Sequence, residues 1–240
     1  MSEHKPARLA LYGAAGRMGR EILRHVSEYP RLRIGYAYDE ERVGDILEDI
    51  AIEPPPLSLP KDLRAVIDFS TADAVMEHVE LAVIRKVAYV CGVTGLTPAT
   101  MQILRHSAET IPVLHAPNMS AGMNVMFRLA QLAAVALPGY ARHIEEIHHT
   151  RKKDSPSGTA LRLAESIRDA VHEDTPITAL RMGDVTGEHR LIFGGPGERL
   201  EIVHHADTRA VFAHGALRAA EWIMDQEPGF YSMEHVLSLT

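Results

Sequence analysis

The sequence predicts an α/β protein in two parts, a domain built on a parallel sheet and an α+β domain built on a mixed sheet. Three observations predict it. Short apolar runs alternate with helix-period segments along the N-terminal part, the pattern of parallel strands joined by helical crossovers. Glycines at 13, 16 and 19 stand between the first apolar run and the first helical pattern. From about residue 143 onward, strand-like runs follow one another with one helix between them.

The elements follow in order. Arg8 to Tyr12 reads as the first strand. Arg17 to Ser27 reads as a helix, with Met18, Ile22, Leu23 and Val26 on one face. Leu32 to Tyr38 is the second strand. Pro54, Pro55 and Pro56 mark a loop, because three prolines continue neither a helix nor an inner strand. Ala65 to Phe69 is the third strand, followed by a helix from about Ala72 to Arg85. Val87 to Cys91 is the fourth strand. Pro98 suits the first turn of a helix that runs to about Glu109, and Ile111 to His115 is the fifth strand. The break between domains falls near Pro117. Ser120 to Leu137 then reads as one long helix. Strands are expected at about 143–149, 177–182, 189–193 and 199–205, with a helix from Ser157 to Val171. Gly194 to Gly197 reads as a hairpin turn. The last helix, Thr208 to Asp225, packs on a domain that periodicity does not choose.

Composition excludes several classes. A hydrophobic fraction of 46% with 24% charge is ordinary for a globular chain, not for a fibre or a disordered tail. No apolar run reaches about 18 residues, so no membrane span is expected. No signal-peptide core precedes the glycines. Cys91 stands alone and cannot form an internal disulfide, which fits a reducing cytoplasm. At the end of an apolar strand it reads as packing. A net charge of -7 and 5% aromatic residues argue against a nucleic-acid partner.

The strand–GxxGxxG–helix context suggests a dinucleotide-binding, Rossmann-like first domain. Gly13 permits the tight turn, Gly16 lets the backbone approach a pyrophosphate, and Gly19 lets the helix pack close to the sheet. The helix start presents N–H groups to the phosphates. The spacing is not GxGxxG, and a plain glycine-rich turn is the competing reading. Asp39 stands 20 residues after Gly19, where a dinucleotide fold places the acid that holds a ribose hydroxyl. Glu40 and Glu41 follow it, and the nearest cation is Arg42. A 2′-phosphate would meet three carboxylates there, so NADH is expected to be preferred and NADPH to be used more weakly.

The densest chemistry lies from Glu145 to Ala160. His148, His149, Arg151, Lys152 and Lys153 fall within six residues, and Ser157-Gly158-Thr159 opens a helix directly after them. A capped helix start with cations beside it suits a small substrate with carboxylates, and His148 or Lys152 can supply a proton near neutral pH. Adjacent strand histidines point to opposite faces and no cysteine pair stands near, so no metal is expected. A solvated basic loop or a nucleic-acid contact competes with this reading; the overall acidity and the capped helix favour the small anion.

The run GAAGRMG at Gly13 to Gly19, with EIHHTRKKDSPSGTA at Glu146 to Ala160, closely resembles the 4-hydroxy-tetrahydrodipicolinate reductases, formerly dihydrodipicolinate reductases. Further stretches agree in order along the chain: Ile67 to Ser70, Gly92 to Gly95, Ala116 to Ser120 with Gly122 to Asn124, Arg181 to Asp184 with Gly187 to His189, and Gly197 to Ile202. The resemblance implies reduction of a cyclic dicarboxylate by NADH or NADPH in lysine and diaminopimelate biosynthesis. It implies catalytic roles for His148 and Lys152. Substrate contacts are implied for His149, Gly158 and Thr159, joined by Lys153 and Ser157 from the cationic loop and the cap. Cofactor contacts are implied for Gly13, Ala14, Ala15, Gly16, Arg17, Met18, Asp39, Phe69, Gly92, Val93, Thr94, Ala116, Pro117, Asn118 and Met119. It also implies a homotetramer assembled through substrate-domain sheets, and a C-terminal helix that returns to the nucleotide domain. The domains are therefore expected at 1–117 with 208–240, and at 118–207. Some relatives carry an arginine where this chain has Glu40, which agrees with the charge argument. The segment from Asp39 to Asp68 looks shorter than in many relatives, which implies a trimmed helix. Two alternatives stay open: a dehydrogenase of another small carboxylic acid, and a non-catalytic NAD-binding sensor.

Overall fold

Leu9, Ala10, Leu11 and Tyr12 on β1 (Ala7–Tyr12) are buried on both faces because parallel strands flank β1 on either side. These are β2 (Leu32–Tyr38) and β5 (Leu63–Asp68). The computed structural model describes residues 5–239, so residues 1–4 and 240 of the expected first domain lie outside the described residues. Beyond β5 come β6 (Ala88–Cys91), β7 (Pro112–His115) and β12 (Gly229–Tyr231), all parallel. Beyond β2 comes the parallel β4 (Ile50–Glu53), with β3 (Ile46–Leu47) antiparallel at the edge. The chain thus turns to opposite sides of β1, and a parallel sheet of this kind binds ligands outside its carboxyl ends at such a point.

Alternation along β1 feeds two cores. Leu9 and Leu11 join Ile22 and Leu23 of α1 (Arg17–His25) and Ala213, Ala216 and Leu217 of α6 (Ala210–Ile223). Ala10 and Tyr12 join Val75 and Val79 of α2 (Val75–Arg85) and Leu104 of α3 (Pro98–Ser107). Pro98 sits in the first turn of α3, behind Thr97, whose side chain accepts the Thr100 N–H. α1 stops at His25 and continues as a 3-10 turn, Val26–Glu28, where the sequence reading carried the helix to Ser27. Three short pieces were not expected: the β3–β4 hairpin, β12, and α7 (Met233–Val236).

The chain forms two compact units: Met1–Met119 with Ala210–Thr240, and Ser120–Arg209. The second begins at α4 (Ala121–Ala136), capped by Ser120. It continues through β8 (Ala141–His148), α5 (Gly158–Val171), β9 (Ile177–Arg181), β10 (Gly187–Gly195) and β11 (Glu198–Ala206). The sheet order is β11-β10-β8-β9. β10 runs antiparallel to β11 and β8, whereas β9 is parallel to β8, so the sheet is mixed. α4 and α5 cover one face, burying Met123, Phe127, Leu163 and Ile167 against Ile144, Leu191 and Phe193. The opposite face carries Arg190 between Glu145 and Glu201.

Candidate active site

The glycine loop follows β1. Gly13 has φ +73°, and a side chain there would run into the Phe69 carbonyl. A side chain on Gly19 would strike the backbone of Gly13 and Ala14, so glycine lets α1 close on the loop. The loop's own N–H groups are largely committed. Ala14 N–H donates to Tyr38 O at 3.1 Å, Ala15 N–H to Asp39 Oδ2 at 2.9 Å, and Gly16 N–H to Gly13 O at 3.1 Å. An arriving anion therefore faces the N–H groups of Arg17, Met18 and Gly19 in the first turn of α1. That turn has no capping side chain. Ala14 and Ala15 shape the loop, and Ala14 is wholly buried.

Asp39 closes the loop from the end of β2, since its other oxygen accepts the Glu41 N–H at 2.9 Å. Arg42 is engaged elsewhere: its Nε donates to Asp45 Oδ2 at 2.6 Å. Gly13, Gly16, Asp39 and Phe69 line one cleft together with Tyr12 and Tyr38. Gly92 to Thr94 and Ala116 to Met119 lie outside it, after β6 and β7. They still belong to the carboxyl edge of the sheet. Gly92 N–H donates to Asp68 O at 2.9 Å, and a side chain at Gly92 would overlap the Phe69 ring. A glycine cradle, an uncapped helix start and an acid without a cation beside it fit a dinucleotide.

Beneath this edge lies a buried cluster that sequence reasoning missed. Asp68 accepts from Ser70 N–H (2.8 Å) and Oγ (2.6 Å), from His78 Nδ1 (2.8 Å) and from the Tyr89 hydroxyl (2.5 Å). Burial works to raise its pKa, but these donors hold it below the usual carboxylate range. The cluster fixes the turn that carries Phe69. The sequence signals were one acid ending an apolar strand and the run Ile67 to Ser70 shared with the reductases, and neither pointed to His78 or Tyr89.

In the second unit, Glu146 is wholly buried on β8. It accepts from Ser157 N–H at 3.0 Å, from Arg181 Nη2 at 2.9 Å, and from His148 Nδ1. Burial raises its pKa, yet Arg181 and then His148 bring it below the ordinary range. An ionised carboxylate only accepts, so Nδ1 of His148 carries the proton and Nε2 is left for chemistry. Burial lowers the His148 pKa against the pull of Glu146. Gly187 gives the ring room, since a Cβ there would stand 3.1 Å from Nε2.

Lys152 is half-buried, with Nζ 2.9 Å from Asp154 Oδ1. Gly158 N–H reaches the other oxygen of Asp154 at 3.4 Å. Ser157 caps α5, its Oγ accepting the Ala160 N–H at 3.2 Å. Gly158 and Thr159 thus occupy the first turn, at the positive end of the helix dipole. Lys153 is exposed and His149 half-buried just past the end of β8. The structure gathers His148, Lys152, Ser157 and Gly158 around Glu146 and Asp154. Neither acid had been assigned a role from sequence.

His189 and His204 were also missed. Glu146 pairs with His189 across β8 and β10, and His189 with His204 across β10 and β11, so the three form a row on the helix-covered face. The His189 ring stands edge-on to His148, 5.2 Å between centroids. Its pKa is lowered to about 3, chiefly by burial. His204 Nε2 lies 3.1 Å from Ser120 Oγ. Period-two reading of GEHRLIF would have placed His189 on the face of Leu191 and Phe193.

Comparison with known proteins agrees with this architecture. The family described as dihydrodipicolinate reductase, N-terminus, matches residues 7–119, and its C-terminal counterpart matches residues 122–237. The 4-hydroxy-tetrahydrodipicolinate reductase of Archaeoglobus fulgidus is 38% identical over 96% of this chain and 99% of its own length. That of Nitrosomonas europaea is 37% identical over 98% and 99%. A dipicolinate-bound dihydrodipicolinate reductase from Paenisporosarcina superposes with a TM-score of 0.77 at 24% identity, covering 97% of this chain and all of that one. With both halves of the chain matched in order, the chain belongs to the dihydrodipicolinate reductase family of oxidoreductases.

Proposed function

We propose that the chain reduces 4-hydroxy-tetrahydrodipicolinate to tetrahydrodipicolinate in lysine and diaminopimelate biosynthesis, with NADH preferred over NADPH. One observation carries the reading. The buried Glu146 carboxylate holds both the ring of His148 and the Ser157 N–H that begins α5. A proton-handling group and an anion-binding helix start are thereby locked to one point.

The dinucleotide would be held by the Gly13–Met18 loop, by Asp39 at a ribose, and by Phe69, Gly92–Thr94 and Ala116–Met119 along the sheet edge. When bound, it supplies the hydride. The acidic run Asp39–Glu41, with Arg42 turned to Asp45, repels a 2′-phosphate and supports the NADH preference. Gly158 and Thr159 receive one substrate carboxylate at the start of α5. His149 and Lys153 complete the binding of the dicarboxylate, and Lys152 leaves Asp154 to donate the proton that balances the arriving hydride. His148, neutral at Nε2 and fixed by Glu146, exchanges protons with that centre.

The unit of Met1–Met119 with Ala210–Thr240 is read as the dinucleotide domain, and Ser120–Arg209 as the substrate and oligomerisation domain. The uncovered sheet face, with Val203 and Leu180 about half exposed beside Glu145, Arg190 and Glu201, supports a homotetramer built on that sheet. No described helix is long and apolar enough to cross a membrane. A cytoplasmic location is supported by the single, buried Cys91.

The test is oxidation of NADH and of NADPH while the preceding synthase makes the substrate in place from pyruvate and aspartate semialdehyde. Faster NADH oxidation is expected. Equal or faster NADPH oxidation would overturn the cofactor preference alone. No oxidation of either by a folded, nucleotide-binding protein would overturn the reaction.

A further inference from the structure

Away from the residues described above, His25, Glu28 and His214 bring three potential ligand atoms within 4.8 Å of one another. His25 ends α1, Glu28 ends the 3-10 turn, and His214 lies on α6. We propose that these three side chains form a site for a divalent transition ion of the zinc type.

The contacts around each ring decide which nitrogen an ion would take. The Tyr29 hydroxyl lies 3.1 Å from the His214 carbonyl oxygen and 3.3 Å from His214 Nδ1. A carbonyl can only accept, so the single hydroxyl proton goes to it. The hydroxyl oxygen then accepts Nδ1–H, and Nε2 of His214 carries the lone pair. On the other ring, the Glu21 carboxylate stands 3.7 Å from His25 Nε2, ready to receive the ring proton on that side when an ion displaces the one on Nδ1. Nδ1 of His25 donates to Glu28 at 2.7 Å, and an entering ion would take the place of that proton between the two side chains. Each imidazole thus has an outer partner on its far nitrogen, as histidine ligands of metals almost always do. The rings stand 4.7 Å apart and tilted by 50°, neither stacked nor bonded to each other.

Two imidazoles and a carboxylate form a donor set that suits zinc, and three protein ligands leave a position for water. The ion would tie α1 to α6, segments from opposite ends of the chain. The sequence reading expected no metal, and it considered only the adjacent pair His148–His149 as ligands. His25 and His214 are too far apart in sequence for any spacing rule to join them.

The experiment uses the full chain stripped of metal, titrated with Zn²⁺ in competition with a chromophoric chelator. Thermal melts are recorded with and without the ion, and none of these readouts depends on the reductase reading. One equivalent is expected to bind in the micromolar range or tighter and to raise the melting temperature, as binding to the native state alone requires. His214→Gln and the exposed-site change Glu28→Gln should each weaken binding at least tenfold and abolish the thermal shift. Tyr29→Phe should weaken it about 10–100-fold through ring orientation. Absence of saturable binding would overturn the site. So would saturable binding that His25→Gln and Glu28→Gln leave unchanged, because the ion would then sit on other histidines.

Discussion

Glu146 and His148 stand two residues apart on β8, on the same covered face, with the wholly buried carboxylate accepting the imidazole Nδ1–H. Alternation along a strand makes the pair possible: both side chains point into the helix-covered layer. Because Glu146 also takes the Ser157 N–H and Arg181, removing it disturbs three donors together. Glu146→Ala is expected to cost about 3–5 kcal/mol of stability, the range for leaving buried charged partners uncompensated. Glu146→Gln keeps the shape and loses the charge that pulls His148 upward. The acid limb of its kcat profile should move to lower pH; a profile that does not move would detach Glu146 from His148 chemistry.

His148→Ala and Lys152→Ala are expected to lower kcat by about 10²–10⁴-fold, the usual worth of general acid–base help. NADH affinity, read by fluorescence titration, should stay close to wild type, since the proposed dinucleotide residues lie in the other unit. Parallel loss of NADH affinity in both variants would remove the catalytic assignment.

Asp39→Ala is expected to weaken NADH more than NADPH, narrowing the preference between them. Part of the effect comes through the loop, because Asp39 Oδ2 holds the Ala15 N–H. Glu40→Arg separates the two contributions: it leaves that bond and should improve NADPH use. Dissociation constants for both cofactors on both variants decide the matter.

The pH dependence of stability follows from His189. Its folded pKa is depressed to about 3, whereas the unfolded side chain titrates near 6.5, so the unfolded chain binds the proton first as pH falls. Its contribution is therefore present above about pH 6.5 and is lost as pH falls towards 3, at up to about 1.4 kcal/mol per pH unit. Asp68 acts in the same direction only at lower pH, below the ordinary carboxylate range. As pH falls from 7 to 5, about the His range, the urea midpoint of wild type should fall relative to that of His189→Leu. A constant gap would show that His189 stays protonated on folding.

Much of this was legible in the sequence, for a physical reason. Strand and helix periods are local, so β2 was read at its observed bounds and α5 within a residue. The β3–β4 hairpin and β12 escaped because two to four residues hold at most two strand periods, too few for alternation to stand out from the flanking loop. Pro54–Pro56 spoke for the loop and nothing spoke for the strands before it. The motif residues His148, Lys152 and Ser157–Thr159 were found by chemistry and spacing. Asp68 with His78, and His189 with His204, were not, because each pair is made by a fold that joins different elements.

Synthesis order gives the interrupted first unit a further meaning. The chain leaves that unit at Met119 and rejoins it only at Ala210. Until α6 is made, Leu9 and Leu11 lack Ala213, Ala216 and Leu217, and the outer edge of β7 lacks β12. A nascent chain that has just passed Arg209 can hold a finished second unit beside a first unit still showing bare apolar surface and an unpaired strand edge. The half proposed to hold the cofactor is thus the last to become native, and the stage at which chaperones would find it.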